Sequence, residues 1–379
     1  MSSKQSSYMP QLDAIRAVAI FLVMIQHWAP ALLKIAPWGG IGVRCFFVLS
    51  GFLITGILLR GRDLIDSERS TLGFQMRQFY IRRSLRIFPI YFLTLGIGFL
   101  AGMELIRESI GWQVSYLSNF YIAMRGEWQG YVSHLWSLSV EEQFYLLWPV
   151  LILMVPRRWF LRLFVATIAI APIVRGALAS AYDPDSLAIR VLLPCCLDSL
   201  VMGAVLALGA ERLGGIRNVP VPLLRRIAVL SMAAMLGIRA LHFFHIAPIL
   251  TVALSPTVEA AFFVTIIGAA ARGFSGPIGR VLDNGFLRYT GRISYGLYLY
   301  HMFAKYVAAA VAPKLGLSFP AEPGLLQFTI LFAMSYAAAA LSAYFIERPF
   351  NDLKRHFPTD ARRRTASPAP TPELAATLP

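Results

Sequence analysis

Ten apolar stretches succeed one another along this chain, at 12–35, 40–59, 85–103, 136–155, 160–179, 187–209, 223–241, 246–270, 287–311 and 325–346. Crossing the hydrocarbon core of a bilayer takes about 20 residues of α-helix, with every backbone polar group satisfied inside the segment. Stretches of that length, repeated over 379 residues, leave only short loops and no room for a second large domain. The pattern predicts an all-α, polytopic integral membrane protein. Composition agrees: 57% of residues are hydrophobic and 15% charged, against about 25% charged in soluble domains. A soluble enzyme, a disordered chain and a collagen-like one are excluded.

The formal charge of +15 comes from 35 Lys and Arg against 20 Asp and Glu. In a soluble chain it would suggest nucleic acid; in a membrane chain the location of the charges matters more. With the N-terminus in the cytoplasm, the inside segments receive 25 of the 35 basic residues and the outside segments seven, while Arg16, Arg44 and Lys305 lie within spans. Every inside loop then obeys the positive-inside rule, and an odd number of spans would break the alternation. About ten transmembrane helices with both termini cytoplasmic are expected, and nucleic acid is dropped as a partner. The longest outside loop, 104–135, could cover a site. The basic loop 60–84 ends in FQMRQFYIRRSLRIF, which reads as an interfacial helix running into a span. Residues 1–356 read as one transmembrane domain, and 357–379, rich in Pro, Ala and Thr, as a disordered cytoplasmic tail. The first apolar run reads as a retained span, since no small-residue cleavage site follows it. Cys45, Cys195 and Cys196 form no CxxC pair, so neither zinc nor a disulfide framework is expected.

Ionisable groups at membrane depth are rare and by default mark function or a helix–helix network. Here they are Asp13, Arg16, His27, Arg44, Glu141, Glu142, Asp198, Glu259, His301 and Lys305. Arg16 and His27 stand about 16 Å apart on nearly one face of the first helix, with Asp13 placed to pair with Arg16. His27, in the outward half, suits a general base; the alternative is a packing histidine. Glu141 and Glu142 open the fourth span from outside, at a depth similar to that of His27. A carboxylate there could orient the imidazole or merely favour the helix N-terminus. Adjacent residues point about 100° apart, so one of the two is expected to face the site. Arg82, Arg83 and Arg86 lie on the cytoplasmic side, suited to phosphates through bidentate hydrogen bonds or to lipid headgroups. His301 in the ninth span, beside the hydroxyls of Ser294, Tyr295, Tyr298 and Tyr300, and Asp198 in the sixth could belong to a polar cavity or to satisfied interhelical bonds. His242 and His245 read as turn residues.

A basic group inside and a His/Glu pair outside suggest acyl transfer from an acyl-CoA. Its phosphates would sit at the inner mouth, its pantetheine arm would thread towards His27, and the acceptor hydroxyl would arrive from outside. An acyl-histidine intermediate is the alternative to direct transfer.

The chain resembles the acyltransferase family 3 membrane proteins, which include bacterial sugar and exopolysaccharide O-acyltransferases. The resemblance rests on LDAIRAVAIFLVMIQHW, GGIGVRCFFVLSGFLIT, FYIRRSLRIFPIYF, HLWSLSVEEQFYLLWP, LDSLVMGA, GRISYGLYLYH and FIERPF, in order over residues 10–350. It implies that Arg16 and His27 are functionally required. It also links the RxxR element, Arg83 and Arg86, to use of the acyl donor, and matches the family glutamate to Glu141, with Glu142 beside it. It further implies a multi-pass protein of the bacterial plasma membrane, in contact with membrane lipids and without a tightly bound cofactor. Acyl-CoA, foremost acetyl-CoA, would be the donor, and a saccharide or glycolipid hydroxyl the acceptor. A fused extracytoplasmic SGNH-type domain, present in some members, is not expected here. A macrolide acceptor is the alternative within the family, and a proton-coupled transporter the alternative outside it; the oligomeric state stays open.

Overall fold

The computed structural model describes residues 8–29, 31–32, 35–316, 319–320 and 323–358, and among these the chain is helical without a strand. Among the described residues ten helices have 18 residues or more, one for each apolar stretch, and are labelled in chain order. They are α1 (Pro10–Trp28), α2 (Trp38–Asp66), α3 (Leu72–Leu100), α4 (Leu135–Met154), α5 (Phe160–Ala181), α6 (Leu193–Arg212), α7 (Val221–Phe243), α8 (Pro248–Arg272), α9 (Ser294–Val311) and α10 (Leu325–Ser342). Seven of them, α2, α3, α5, α6, α7, α8 and α10, are long and apolar enough to cross a membrane. The other three, α1, α4 and α9, have 19, 20 and 18 residues. They carry Asp13, Arg16 and His27; Glu141 and Glu142; and His301 and Lys305. The chain is thus a multi-pass membrane protein, and both these three helices and several of the seven apolar ones carry ionisable groups.

Local chemistry sets several boundaries. Pro10 occupies the first turn of α1, where its missing N–H costs nothing. Thr71 Oγ1 accepts the Phe74 N–H at 3.3 Å and opens α3. Asn284 Oδ1 accepts from Phe286 N at 2.9 Å and opens the short helix Gly285–Arg292.

The loops differ most from expectation. The segment 60–84 is hardly a loop: α2 runs on to Asp66 and α3 starts at Leu72, so the basic Phe74–Phe88 stretch is the first part of one 29-residue helix. Segment 104–135 holds two helices, Glu104–Val114 and Ser118–Arg125, the second ended by Gly126 at φ +67. The sixth and ninth stretches are each split, at Leu192 and Ile293. The expected tail lies outside the described residues from 359 on, as do Lys4 and Lys34.

Packing centres on α2 and α6. α2 packs on α1, α4, α6 and α8, whereas α7 packs chiefly on α8 and buries only Leu224 and Ser231. Where α2 crosses α6, the backbones touch. A Cβ added at Gly51 would lie 1.7 Å from the Leu200 carbonyl oxygen, and one at Gly203 would lie 2.0 Å from that of Val48. Small residues at such a crossing let van der Waals contact replace the missing hydrophobic drive between helices in lipid.

Gly51→Ala should therefore destabilise the detergent-solubilised protein by about 1–3 kcal/mol through overpacking, despite alanine's better helix propensity. Gly209→Ala, which meets open space, should leave the thermal unfolding midpoint unchanged or raised. Equal midpoints for the two variants would contradict the close crossing.

Candidate functional site

A cavity of about 450 Å³ opens among α1, α2, α3, α4 and α9, within the size range of small-molecule and cofactor sites. Four guanidiniums line it: Arg16 from α1, Arg83 and Arg86 from α3, and Arg292 from the end of the Gly285–Arg292 helix. Asp13, Glu141 and Glu142 line it as well. Helix periodicity explains the α3 pair, since residues three apart share a face. Arg292 is brought in by contact with α1: a Cβ at its neighbour Gly291 would lie 1.7 Å from the Asp13 carbonyl oxygen, so that short helix lies directly on α1.

The charges are only partly matched to each other. Arg16 Nη1 stands 3.5 Å from Asp13 Oδ1, and Tyr8 OH donates to Asp13 Oδ2 at 2.7 Å. Ser50 Oγ donates to Glu141 Oε1 at 2.6 Å. The Arg83 guanidinium lies over the Tyr145 ring at 3.8 Å, a cation–π contact, while its Nε and Glu142 Oε1 are buried without a hydrogen-bond partner. Such unmatched polar atoms around a cavity suit a ligand that carries its own donors and acceptors.

Ser137 and Tyr298, whose hydroxyls are 2.6 Å apart, also line the cavity. Packed against Tyr298 is a group of imidazoles, none of which lines the cavity itself. The His301 ring centroid is 5.5 Å from that of Tyr298, 5.2 Å from that of His27 and 5.0 Å from that of His134. His27 is in the last turn of α1, and His134 immediately precedes α4.

Of the residues singled out from the sequence, Asp13, Arg16, Arg83, Arg86, Glu141, Glu142, Ser294 and Tyr295 come together around the cavity. Three expectations change. First, Glu141 keeps company with Ser50 and the arginines, and the ring beside His27 is that of His301. Glu141 lies seven residues into the chain from His134, about 10 Å deeper along the helix axis, so His134 is the α4-end residue that reaches the level of His27. Second, both glutamates line the cavity, not one. Third, Arg82 points away from it, donating to the carbonyls of Lys354 and Phe357 at 2.9 and 3.0 Å.

Asp198 is not at the cavity either. It is fully buried and held by Arg175 Nη2 at 2.7 Å, Thr257 Oγ1 at 2.6 Å and the Ser199 N–H at 2.8 Å. Arg175, also at 0% exposure, spends its other N–H groups on the carbonyls of Ala253 and Cys195. This closed network ties α5, α6 and α8 together. Arg44 and Glu259 form a further pair between α2 and α8. Lys305 is exposed. Sequence reasoning gave no role to Tyr8, Ser50, Tyr145, His134 or Arg292. The last four lie inside the motifs GGIGVRCFFVLSGFLIT, HLWSLSVEEQFYLLWP and GRISYGLYLYH, which was the available signal.

Comparison with known proteins adds to this picture. The sequence model Acyl_transf_3, described as an acyltransferase domain, matches residues 9–344. A Staphylococcus aureus protein named "Putative O-acetyltransferase SAS0844" is 35% identical over 162 residues, covering 39% of this chain and 25% of that protein. The peptidoglycan O-acetyltransferase OatA of Listeria monocytogenes is 32% identical over 164 residues, covering 38% of this chain and 24% of that protein. The chain spans about a quarter of the length of these curated relatives. No solved structure matches.

Removing one partner of the closed network leaves an uncompensated buried charge, at a cost of about 3–5 kcal/mol. Arg175→Met should lower the unfolding midpoint of the purified protein sharply. The double variant Arg175→Met with Asp198→Leu should recover much of the loss. A double variant no more stable than the single one would show that the pair is not what Asp198 depends on.

Proposed function

The chain belongs to the Acyl_transf_3 family of acyltransferase domains, and we propose that it transfers an acyl group, foremost acetyl, from acyl-CoA to a hydroxyl of an exported or cell-envelope saccharide in the bacterial plasma membrane. Family membership sets aside the reading as a proton-coupled transporter. The observation that carries the proposal is one cavity with four arginines around it, one of whose lining residues, Tyr298, packs against a histidine cluster that includes the neighbour of His27.

In this reading the guanidiniums of Arg83 and Arg86, helped by Arg16 and Arg292, receive the donor's phosphates by charge-assisted hydrogen bonds. With basic loops facing inward, that end of the cavity takes the donor from the cytoplasm. The pantetheine arm runs past Ser50 and Phe46, and the thioester comes to rest at the Tyr298 end. His27 removes the proton of the acceptor hydroxyl as its oxygen attacks the thioester carbonyl. The new C–O bond forms, the C–S bond breaks, and the thiolate leaves and takes up the proton. Glu141 and Glu142, which line the same cavity, offset the charge of the arginines instead of serving the base. A saccharide acceptor is supported by the likeness to OatA, named for acetylation of peptidoglycan.

His27→Ala should lower acetyl transfer from labelled acetyl-CoA to a verified saccharide acceptor by at least about 100-fold, with the protein still present in the membrane. Full activity in that variant would overturn the base assignment. Arg83→Ala and Arg86→Ala should each raise the KM for the donor about tenfold, the size of one lost hydrogen bond to a charged group, with the acceptor KM unchanged. Unaltered donor saturation would contradict the phosphate contact.

A further inference from the structure

A base needs a partner that decides which of its nitrogens carries the proton. The carboxylates nearest in sequence logic, Glu141 and Glu142, line the arginine cavity, so the partner of His27 must be sought among the groups packed on it. His301 is fully buried, and its Nδ1 stands 2.6 Å from the Tyr298 carbonyl oxygen. A carbonyl only accepts, so Nδ1 carries the hydrogen and Nε2 of the neutral ring carries a lone pair. That Nε2 is buried without a partner. His134, 3% exposed, donates from Nε2 to the Leu299 carbonyl at 3.0 Å. The Tyr298 carbonyl thus locks His301 in a defined tautomer whose acceptor lacks a donor, which is costly unless a donor arrives. Among the described residues no group of three or more His, Cys, Asp or Glu side chains is placed to hold a metal ion.

Two donors stand near His301: the ring of His27, at 5.2 Å between centroids, and the indole of Trp28, at 6.2 Å, whose Nε1 is also buried and unpartnered. Resting on the reading of His27 as base, we propose that His301 is its positioning residue. The lone pair of His301 Nε2 accepts a hydrogen bond from one nitrogen of His27. Imidazoles at that centroid separation reach the usual hydrogen-bond distance of about 3 Å when their nitrogens turn towards each other. This leaves the other nitrogen of His27 free to take the hydroxyl proton, and the same lone pair holds the imidazolium that forms. The neutral ring does the work that a carboxylate does in a Ser-His-Asp arrangement. His134 packs behind the pair, and Trp28 Nε1 is not required.

The test uses two substitutions that divide the ring's functions. His301→Gln keeps an acceptor oxygen near the position of Nε2; His301→Asn keeps a donor to the Tyr298 carbonyl but nothing at the Nε2 position. In full-length protein assayed with acetyl-CoA and a verified acceptor, His301→Asn should lose at least about 100-fold in kcat, with the donor KM within twofold. His301→Gln should keep at least a tenth of wild-type kcat, and Trp28→Phe should be close to wild type. A merely structural His301 gives the reverse order, because Asn retains the bond that anchors the ring. Asn equal to or better than Gln, a loss carried by the donor KM, or a Trp28→Phe loss as large as that of His301→Asn would each overturn the assignment. His27→Ala measured in parallel separates the two claims: if it is inactive while Asn is no worse than Gln, only the positioning role falls; if it is active, the base reading falls.

Discussion

A charged side chain inside an apolar slab persists only where another group of the protein answers it, and the architecture of this chain turns on how those answers are distributed. Arg175, Asp198 and Thr257 answer one another completely, with backbone carbonyls taking up the remaining N–H groups. A closed network of this kind holds three helices in register and has nothing to offer a ligand. The arginines and carboxylates of the cavity are answered only in part, and the polar atoms of Arg83 and Glu142 that lack partners are the mark of an open one.

The open cluster depends on contacts that contain no charge. Gly51 and Gly203 bring α2 and α6 into backbone contact, and the residue before Gly51, Ser50, faces α4 and meets Glu141. Gly291 rests on the backbone of α1 at Asp13, and the next residue, Arg292, thereby joins Arg16 at the cavity. Two bare-backbone crossings thus set the positions of the polar side chains next to them. The arginine-lined cavity and the imidazole cluster meet at Tyr298, which lines the one and packs against the other.

Much of this was legible beforehand. Each of the ten apolar stretches holds one long helix, and six of the charged residues lining the cavity, Asp13, Arg16, Arg83, Arg86, Glu141 and Glu142, stand out in the sequence by their depth or spacing. What was misread has a common origin. Depth alone, with a cytoplasmic N-terminus, makes Glu141 a candidate partner of His27, yet seven residues of helix separate Glu141 from His134 at the end of α4 that reaches the histidines. Arg82 was grouped with Arg83 and Arg86 because they are neighbours in sequence, but it projects to the carbonyls of Lys354 and Phe357. His134 drew no attention because a histidine at a helix start carries no distinctive spacing.

By itself the sequence determined the helices, their order and the position of each ionisable group along its own helix. Those quantities follow from residue count, a fixed rise per residue and the cost of exposing polar groups to lipid. Only the tertiary structure decided which groups became neighbours: Glu141 with Ser50, Asp198 with Arg175, His27 with His301. Lateral placement and rotation are set by how one helix surface fits another, and no spacing within a single helix records that fit.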